Sequence, residues 1–406
     1  MRILIICYVY PPEIAPAGIM TKELAEDLSA KGHKVTVQTG WPNHPQGKLY
    51  PGYRMRLRQM ERDGQHNVQR IATTIADKKS PFRRLGVYVS FAFSSFFNGL
   101  ALGRYDVVVN LSTPIVGSWT AWALARLWRA RFVNIIFDLC PEIIRNAGLI
   151  GENSLYRIIR AIDTLNCRCS DAISVLGEGM KDQVIARGIS PENIKVIPFW
   201  IDTQKIQPVS RNNAWRKEQG IASDIFVALF AGTIGYISGT QILVETAQQL
   251  IHRKNILILV VGEGVAKNEL EKLAQDMSLT NIRFLPFQPA ERLEEVQGTA
   301  DVGLITLLPD SGITSVPSKV LGYMAAGRAI IVSATEKSDT ARLIRNIPCG
   351  FVCPSQNPQA LANRILRMAD NESIRHEYGL NARHYVEKHF SRVNVVDQYE
   401  QLICNQ

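Results

Sequence analysis

The stretch that decides the fold is residues 1–10, Met1-Arg2-Ile3-Leu4-Ile5-Ile6-Cys7-Tyr8-Val9-Tyr10, with Pro11-Pro12 directly after it. It has one basic residue, β-branched character and no small-residue cleavage site, which sets it apart from a secretion signal. An apolar run of this length that ends at prolines is expected as a buried strand. The loop from Pro11 to Gly18 leads into an amphipathic helix with Leu24, Ala25 and Leu28 on one face. Gly32-His33 closes that helix, and Val35-Thr36-Val37 starts the next strand. Apolar strand, helix, apolar strand is the pattern of a parallel βαβ unit.

The pattern repeats outward from this start. Residues 106–109, 132–137 and 172–175 are further buried strands. Pro198-Phe199-Trp200-Ile201-Asp202 and a polar run to Asn213 interrupt the series. A second series follows, with strands at 226–230, 256–261, 282–285, 302–305 and 329–332. The expected fold is α/β, with two doubly wound Rossmann-like domains spanning 1–203 and 204–388 and a last helix in 389–406. In such sheets ligands bind at the carboxyl ends of the strands, which predicts a ligand cleft between the domains. A chain of 406 residues fits two domains.

With 46% hydrophobic and 20% charged residues, the chain is globular rather than disordered. The formal charge of +9 favours anionic partners. The seven cysteines follow no paired spacing and have no nearby histidine pair, so reduced thiols are expected rather than zinc ligands or disulfides. Between Lys48 and Arg84 ten basic residues face three acidic ones, and Leu85 to Gly103 then carries no charge but four phenylalanines. Its serines, Asn98 and three glycines make that stretch a poor membrane span. A basic run beside an aromatic helix suits shallow docking on an anionic bilayer, so 48–103 is the expected docking segment.

Four loops carry candidate chemistry. Phe230-Ala231-Gly232-Thr233-Ile234-Gly235 follows the first strand of the second domain, and its glycines allow backbone N–H groups to approach an anion. Val260-Val261-Gly262-Glu263-Gly264 closes the next strand, and Lys267 occupies the place of the third small residue of a dinucleotide fingerprint, which argues against a dehydrogenase. In Thr314-Ser315-Val316-Pro317-Ser318-Lys319, Pro317 suits a first helical turn, Ser315 and Ser318 offer hydroxyls, and Lys319 adds charge for a diphosphate. Finally, Asp138 and Glu142 follow a strand of the first domain, and with Glu13 they are candidate bases for an acceptor hydroxyl.

The order of these segments resembles the family-four retaining glycosyltransferases of the GT-B fold. Tyr10-Pro11-Pro12-Glu13 to Gly18, Asp138-Leu139-Cys140-Pro141-Glu142, Gly262-Glu263-Gly264, Ala300-Asp301-Val302-Gly303 and Pro317 to Gly327 carry the likeness. The resemblance implies a final helix that crosses back to the first domain. It further implies a donor site at Gly18, Gly232, Gly235, Gly262, Glu263, Ser315, Ser318 and Lys319, with no metal and no cofactor. Within the family the chain is most similar to O-antigen L-fucosaminyltransferases. The implied reaction moves N-acetyl-L-fucosamine from a UDP-sugar to an undecaprenyl-diphosphate-linked saccharide, at the inner face of the membrane and without nucleic acid. A UDP-sugar 2-epimerase or a non-catalytic nucleotide-sugar binder would share the fold. The sequence departs from the family at several places. Phe137 stands where a histidine is common, Thr314 and Gly322 where two glutamates are usual, and Thr233 and Ser238 where a basic pair is usual. Lys319, backbone amides and Arg328 are then expected to meet the diphosphate charge.

Overall fold

The computed structural model describes the chain except residues 14, 44–46, 76–80, 113–114, 147–149, 236–237, 310–316 and 406, and the side chains of 81, 82 and 84. The chain divides into two compact units, one of Met1–Arg145, Ile150–Ile197 and Val396–Gln406, the other of Asn146–Leu149 and Pro198–Val395.

The first unit is built from β1 (Arg2–Ile6), α1 (Pro16–Ala30), β2 (Lys34–Gly40), β3 (Arg58–Asp63), β4 (His66–Ile71), α2 (Pro81–Leu100) and β5 (Val107–Leu111). It continues through α3 (Gly117–Trp128), β6 (Arg131–Ile136), α4 (Glu142–Asn146), α5 (Ser154–Cys169), β7 (Ala172–Val175), α6 (Glu178–Ile185) and β8 (Ile194–Val196). The sheet order is β3-β4-β2-β1-β5-β6-β7-β8. All neighbours are parallel except β3, which pairs antiparallel with β4 at the edge. The run quoted at the start is the central strand: Ile3, Leu4 and Ile5 are fully buried between helices on both faces of the sheet, as a continuous apolar run requires. Proline in the first turn of α1 costs no hydrogen bond. At the other end of α1, Gly32 adopts φ +91°, its N–H donates to Ser29 O, and the His33 N–H donates to Leu28 O. This double bond pattern caps the last carbonyls of the helix.

The basic stretch after Lys48 holds a hairpin, β3–β4, that the sequence reading does not anticipate. Its buried residues mix apolar and polar types: Val68 and Ile71 lie inside together with His66, Gln69 and Arg70. Arg70 donates to Glu61 (2.9 Å) and to the carbonyl of Pro11 (2.7 Å), so a charged residue can sit in a strand without an unpaired charge. The charge-free stretch forms α2. Among the described residues no helix is long and apolar enough to cross a membrane.

The second unit contains α7 (Ala214–Glu218), β9 (Phe226–Ala231), α8 (Gln241–Gln249), β10 (Ile256–Val261), α9 (Lys267–Asp276), β11 (Ile282–Leu285), α10 (Leu293–Gly298) and β12 (Val302–Thr306). After these come α11 (Lys319–Ala325), β13 (Ala329–Ser333), α12 (Asp339–Asn346), β14 (Gly350–Cys353), α13 (Pro358–Ala369), α14 (Glu372–His389) and α15 (Arg392–Cys404). Its sheet, β11-β10-β9-β12-β13-β14, is parallel throughout. Residues 198–203 go with this unit because Phe199 and Ile201 pack on its core and Ile201 bridges to Ser391. The last helix begins here, and from Val396 onward it belongs to the first unit, where Tyr399 is fully buried against Ser174. The doubly wound α/β architecture is therefore as the sequence predicts. All seven cysteines are free.

The Ala300-Asp301-Val302 motif has a structural explanation. Asp301 accepts the Val227 N–H (2.8 Å) and an Arg211 guanidinium N–H, and lies 4.0 Å from the buried Arg216. Arg216 in turn donates to the carbonyls of Ala222 (2.7 Å), Ile225 (2.5 Å) and Thr299 (3.1 Å). Removing the carboxylate strands buried donors and a buried charge. Asp301→Ala is expected to destabilise the second unit by about 3 kcal/mol in urea denaturation.

Candidate functional site

In the second unit the site is built at the carboxyl edge of the sheet, from the loops after β9 and β10. The Gly232 N–H donates to Val261 O (2.9 Å), the Ile234 N–H to Glu263 O (2.9 Å) and the Ala266 N–H to Ile234 O (3.2 Å). These bonds draw the two loops together until a Cβ on Gly262 would stand 1.9 Å from the Gly232 carbonyl oxygen. No side chain fits there, which is why position 262 is glycine, while position 232 is glycine because its φ is +147°. Gly235 is open by contrast: a Cβ there would meet Thr233 Cγ2 at an ordinary 4.0 Å. Glu263 contributes its backbone; its exposed carboxylate turns to Lys267 at 2.7 Å.

Lys319, the first residue of α11, meets these loops. A Cβ on Gly232 would lie 3.3 Å from Lys319 Cε and Nζ. The ammonium sits 3.7 Å from the Phe230 ring centroid. Lys319 keeps some exposed surface, yet its ammonium is removed from water by the ring and the loop, and this desolvation pushes its pKa down to about 7. Beneath it Tyr323 fixes the end of β9, where its hydroxyl accepts the Ala231 N–H (2.8 Å) and donates to Leu229 O (2.9 Å). Sequence reasoning passed over Tyr323, although a tyrosine one turn after a candidate ligand was the available signal. Ser318 is exposed at the helix start and makes no capping hydrogen bond. Ser315 and Thr314 lie outside the described residues.

Two departures acquire reasons. At Gly322 a Cβ would stand 2.2 Å from Gln297 Nε2, so a glutamate there would require the Gln297 side chain to move. Arg328 precedes β13, at the amino edge of the sheet, and donates to Val209 O. It therefore stands at the opposite edge from Lys319 and does not share the diphosphate role expected of it.

In the first unit, Glu13 is buried and its carboxylate accepts the N–H groups of Tyr10 (3.1 Å) and Asn43 (2.8 Å). It pins the loops after β1 and β2. Gly18 lets the first turn of α1 approach the Val9–Tyr10 backbone, with 3.1 Å from a Cβ to Val9 O. Asp138 is half-buried just past β6. Glu142 is buried, bound to Arg187 at 2.5 Å and reached by the Tyr156 hydroxyl at 3.5 Å. Arg187 also holds Asp163 at 2.6 Å. This closed network corrects the reading of Glu142 as a base: both of its oxygens face partners. A further network escaped the sequence reading. The Tyr10 hydroxyl donates to Asp63 (2.9 Å) and lies 2.7 Å from His66 Nε2, and Lys22 binds Asp63 at 2.7 Å. These groups tie the first loop to the β3–β4 turn, and burial lowers the His66 pKa.

The second unit thus gathers two glycine loops and a lysine at the carboxyl edge of its sheet, and the first unit repeats the same doubly wound architecture. Residues 17–200 match the model of the glycosyl transferase 4-like domain, and residues 211–385 match that of glycosyl transferases group 1. A relative named for colanic acid biosynthesis, the glycosyl transferase WcaI of Escherichia coli (strain K12), is 26% identical over 98% of each chain. Among solved structures, the sucrose-phosphate synthase of Thermosynechococcus elongatus aligns with a TM-score of 0.80 at 18% identity, covering 99% of this chain and 98% of that one. HepE of Anabaena, solved in complex with UDP, aligns with a TM-score of 0.72 at 15% identity over 99% of each chain. With the two glycosyl transferase models matching successive parts of the chain and the GT-B fold shared throughout, the chain is a glycosyltransferase of the GT-B fold.

Proposed function

We propose that this glycosyltransferase moves a sugar from a UDP-sugar to a saccharide carried on undecaprenyl diphosphate, in O-antigen or capsule assembly. N-acetyl-L-fucosamine is the favoured donor sugar, on the family-four likeness of the motifs. The chain's similarity to a colanic acid biosynthesis enzyme supports envelope polysaccharide as the product class, and the UDP bound by HepE supports UDP as the nucleotide. The lipid carrier would hold the enzyme at the inner face of the membrane.

One observation carries the reading: a desolvated lysine faces two glycine loops, and burial lowers its pKa. Such an ammonium gains its counter-charge when a diphosphate arrives. As the bond from the sugar's anomeric carbon to the diphosphate breaks, negative charge grows on the leaving oxygen, and Lys319 and the loop amides stabilise it. The acceptor oxygen forms the new bond to that carbon and gives up its proton, for which Asp138 is the proposed base. Glu13, Gly18 and Glu142 shape the first unit's loops in this scheme, and Gly232, Gly235, Gly262, Glu263 and Ser318 the donor's.

Two tests follow from these roles. The free Lys319 pKa is about 7 and a bound diphosphate raises it, so above pH 7 binding takes up a proton. UDP affinity measured by calorimetry should then fall as pH rises from 7, by up to about tenfold per unit until the bound pKa is passed. Lys319→Met should bind UDP about tenfold more weakly at pH 7 and lose this slope. If the variant keeps both affinity and slope, the lysine does not hold the diphosphate. For the acceptor side, Asp138→Asn should lower kcat about a hundredfold with UDP affinity unchanged. Glu142→Gln should instead lower the unfolding midpoint, because it breaks a buried ion pair.

A further inference from the structure

One face of the first unit's sheet is covered by α2, α3 and α5, side by side. Gly99 of α2 packs so tightly on α3 that a Cβ would meet Leu124 at 2.5 Å, and Thr120 of α3 donates to Ala92 O. Asn166 of α5 donates to Ile115 O, just before α3. The inner side of α2 is the ordinary core side, with Val87, Phe91 and Ser95 buried. The outer side is not polar. Leu85, Val89, Phe93 and Phe97 follow at four-residue intervals, one stripe along the helix. Phe93 is 64% and Phe97 63% exposed. Leu127 of α3 and Leu155, Ile158 and Leu165 of α5 are exposed as well.

The charge on this layer has one sign. Helices α2, α3 and α5 contain six arginines (Arg83, Arg84, Arg126, Arg157, Arg160 and Arg168) and one acid, Asp163. That acid is buried and paired with Arg187, so it offers no outward charge. Beside the layer, Arg54-Met55-Arg56-Leu57-Arg58 exposes basic and apolar side chains alternately. This loop is joined to α2 in two steps: the Ala72 N–H donates to Leu57 O, and the Thr74 N–H donates to Ser90 Oγ (3.0 Å). Of the arginines, Arg126 lies 3.8 Å from Asp171 and Arg160 3.7 Å from Glu142, so the excess of positive charge remains. Exposed phenylalanine and leucine among these arginines would be an aggregation liability on a surface meant for water. The same composition suits the headgroup layer of an anionic bilayer, where apolar side chains enter the acyl boundary and arginines meet phosphates.

We propose that the outer face of α2, α3 and α5, extended by the Arg54–Arg58 loop, is a docking surface for an anionic phospholipid bilayer. It deepens the functional reading by assigning the surface that faces the membrane, and it rests on that reading for the presence of a membrane-borne acceptor. The two stand or fall in separate assays, because vesicle binding needs neither donor nor acceptor. A second copy of the chain is a less suitable occupant, since two such faces would oppose arginine to arginine.

The experiment is co-sedimentation of the full chain with phosphatidylcholine vesicles, with and without phosphatidylglycerol. Binding to the anionic vesicles should exceed binding to neutral ones by about tenfold and weaken with salt. Phe93→Ser with Phe97→Ser, and separately Arg54→Glu with Arg56→Glu and Arg157→Glu, should each lower it about tenfold. Both variants should retain transfer to a water-soluble acceptor analogue. Should a variant fold poorly, the unaltered chain still decides the matter. Trp119 and Trp122 of α3 are half-exposed, whereas Trp41, Trp128, Trp200 and Trp215 are buried. Lipids brominated near the headgroup should therefore quench the chain's tryptophan fluorescence. Equal binding to neutral vesicles, wild-type binding by both variants, absence of quenching, or a dimer abolished by Phe93→Ser would each overturn the proposal.

Discussion

The contact between Gly232 and Gly262 is the constraint on which the donor edge depends. With a Cβ position 1.9 Å from a carbonyl oxygen, the two loops can close only as bare backbone. Their closure sets the floor on which Lys319 lies, and Tyr323 clamps the end of β9 underneath. A lysine placed there loses hydration, and among the described residues no carboxylate pairs with it. The result is a group whose charge depends on what surrounds it.

Carboxylates elsewhere are used in the opposite way. Glu13 accepts backbone N–H groups, Glu142 and Asp163 share Arg187, and Asp301 serves Val227 and two arginines. Each satisfies donors that would otherwise be buried without partners. Asp138 differs in being only half-buried at a strand's end. The distinction between a carboxylate that holds the fold and one that can meet a substrate is thus a matter of what surrounds it.

That distinction explains what could be read in advance. The strands β1, β2, β5–β7 and β9–β13 were legible because burial on both faces demands uninterrupted apolar runs. The β3–β4 hairpin was not, since Arg70 and Gln69 are made tolerable inside by partners remote in sequence. β8, at three residues, is too short to show a pattern, and β14 is a sheet-edge strand that opens on glycine. For the site, glycine after a strand and lysine at a helix start were visible as a pattern. The partnership of Glu142 with Arg187, and that of Tyr10 with Asp63 and His66, depends on long-range folding that local spacing does not encode. Arg328 looked available by type and proved to stand at the wrong edge of the sheet.

The return of α15 to the first unit bears on how the molecule is made. Tyr399 and Ile403 are fully buried there, and Lys31 and His33 meet Asp397 and Glu400. During vectorial synthesis, residues 1–197 emerge long before the segment that closes their core. The second unit, continuous from Pro198 to Val395 apart from a four-residue contribution, can finish first. The first unit waits with a gap beside β7 until that segment emerges, so its final packing follows synthesis of the second unit.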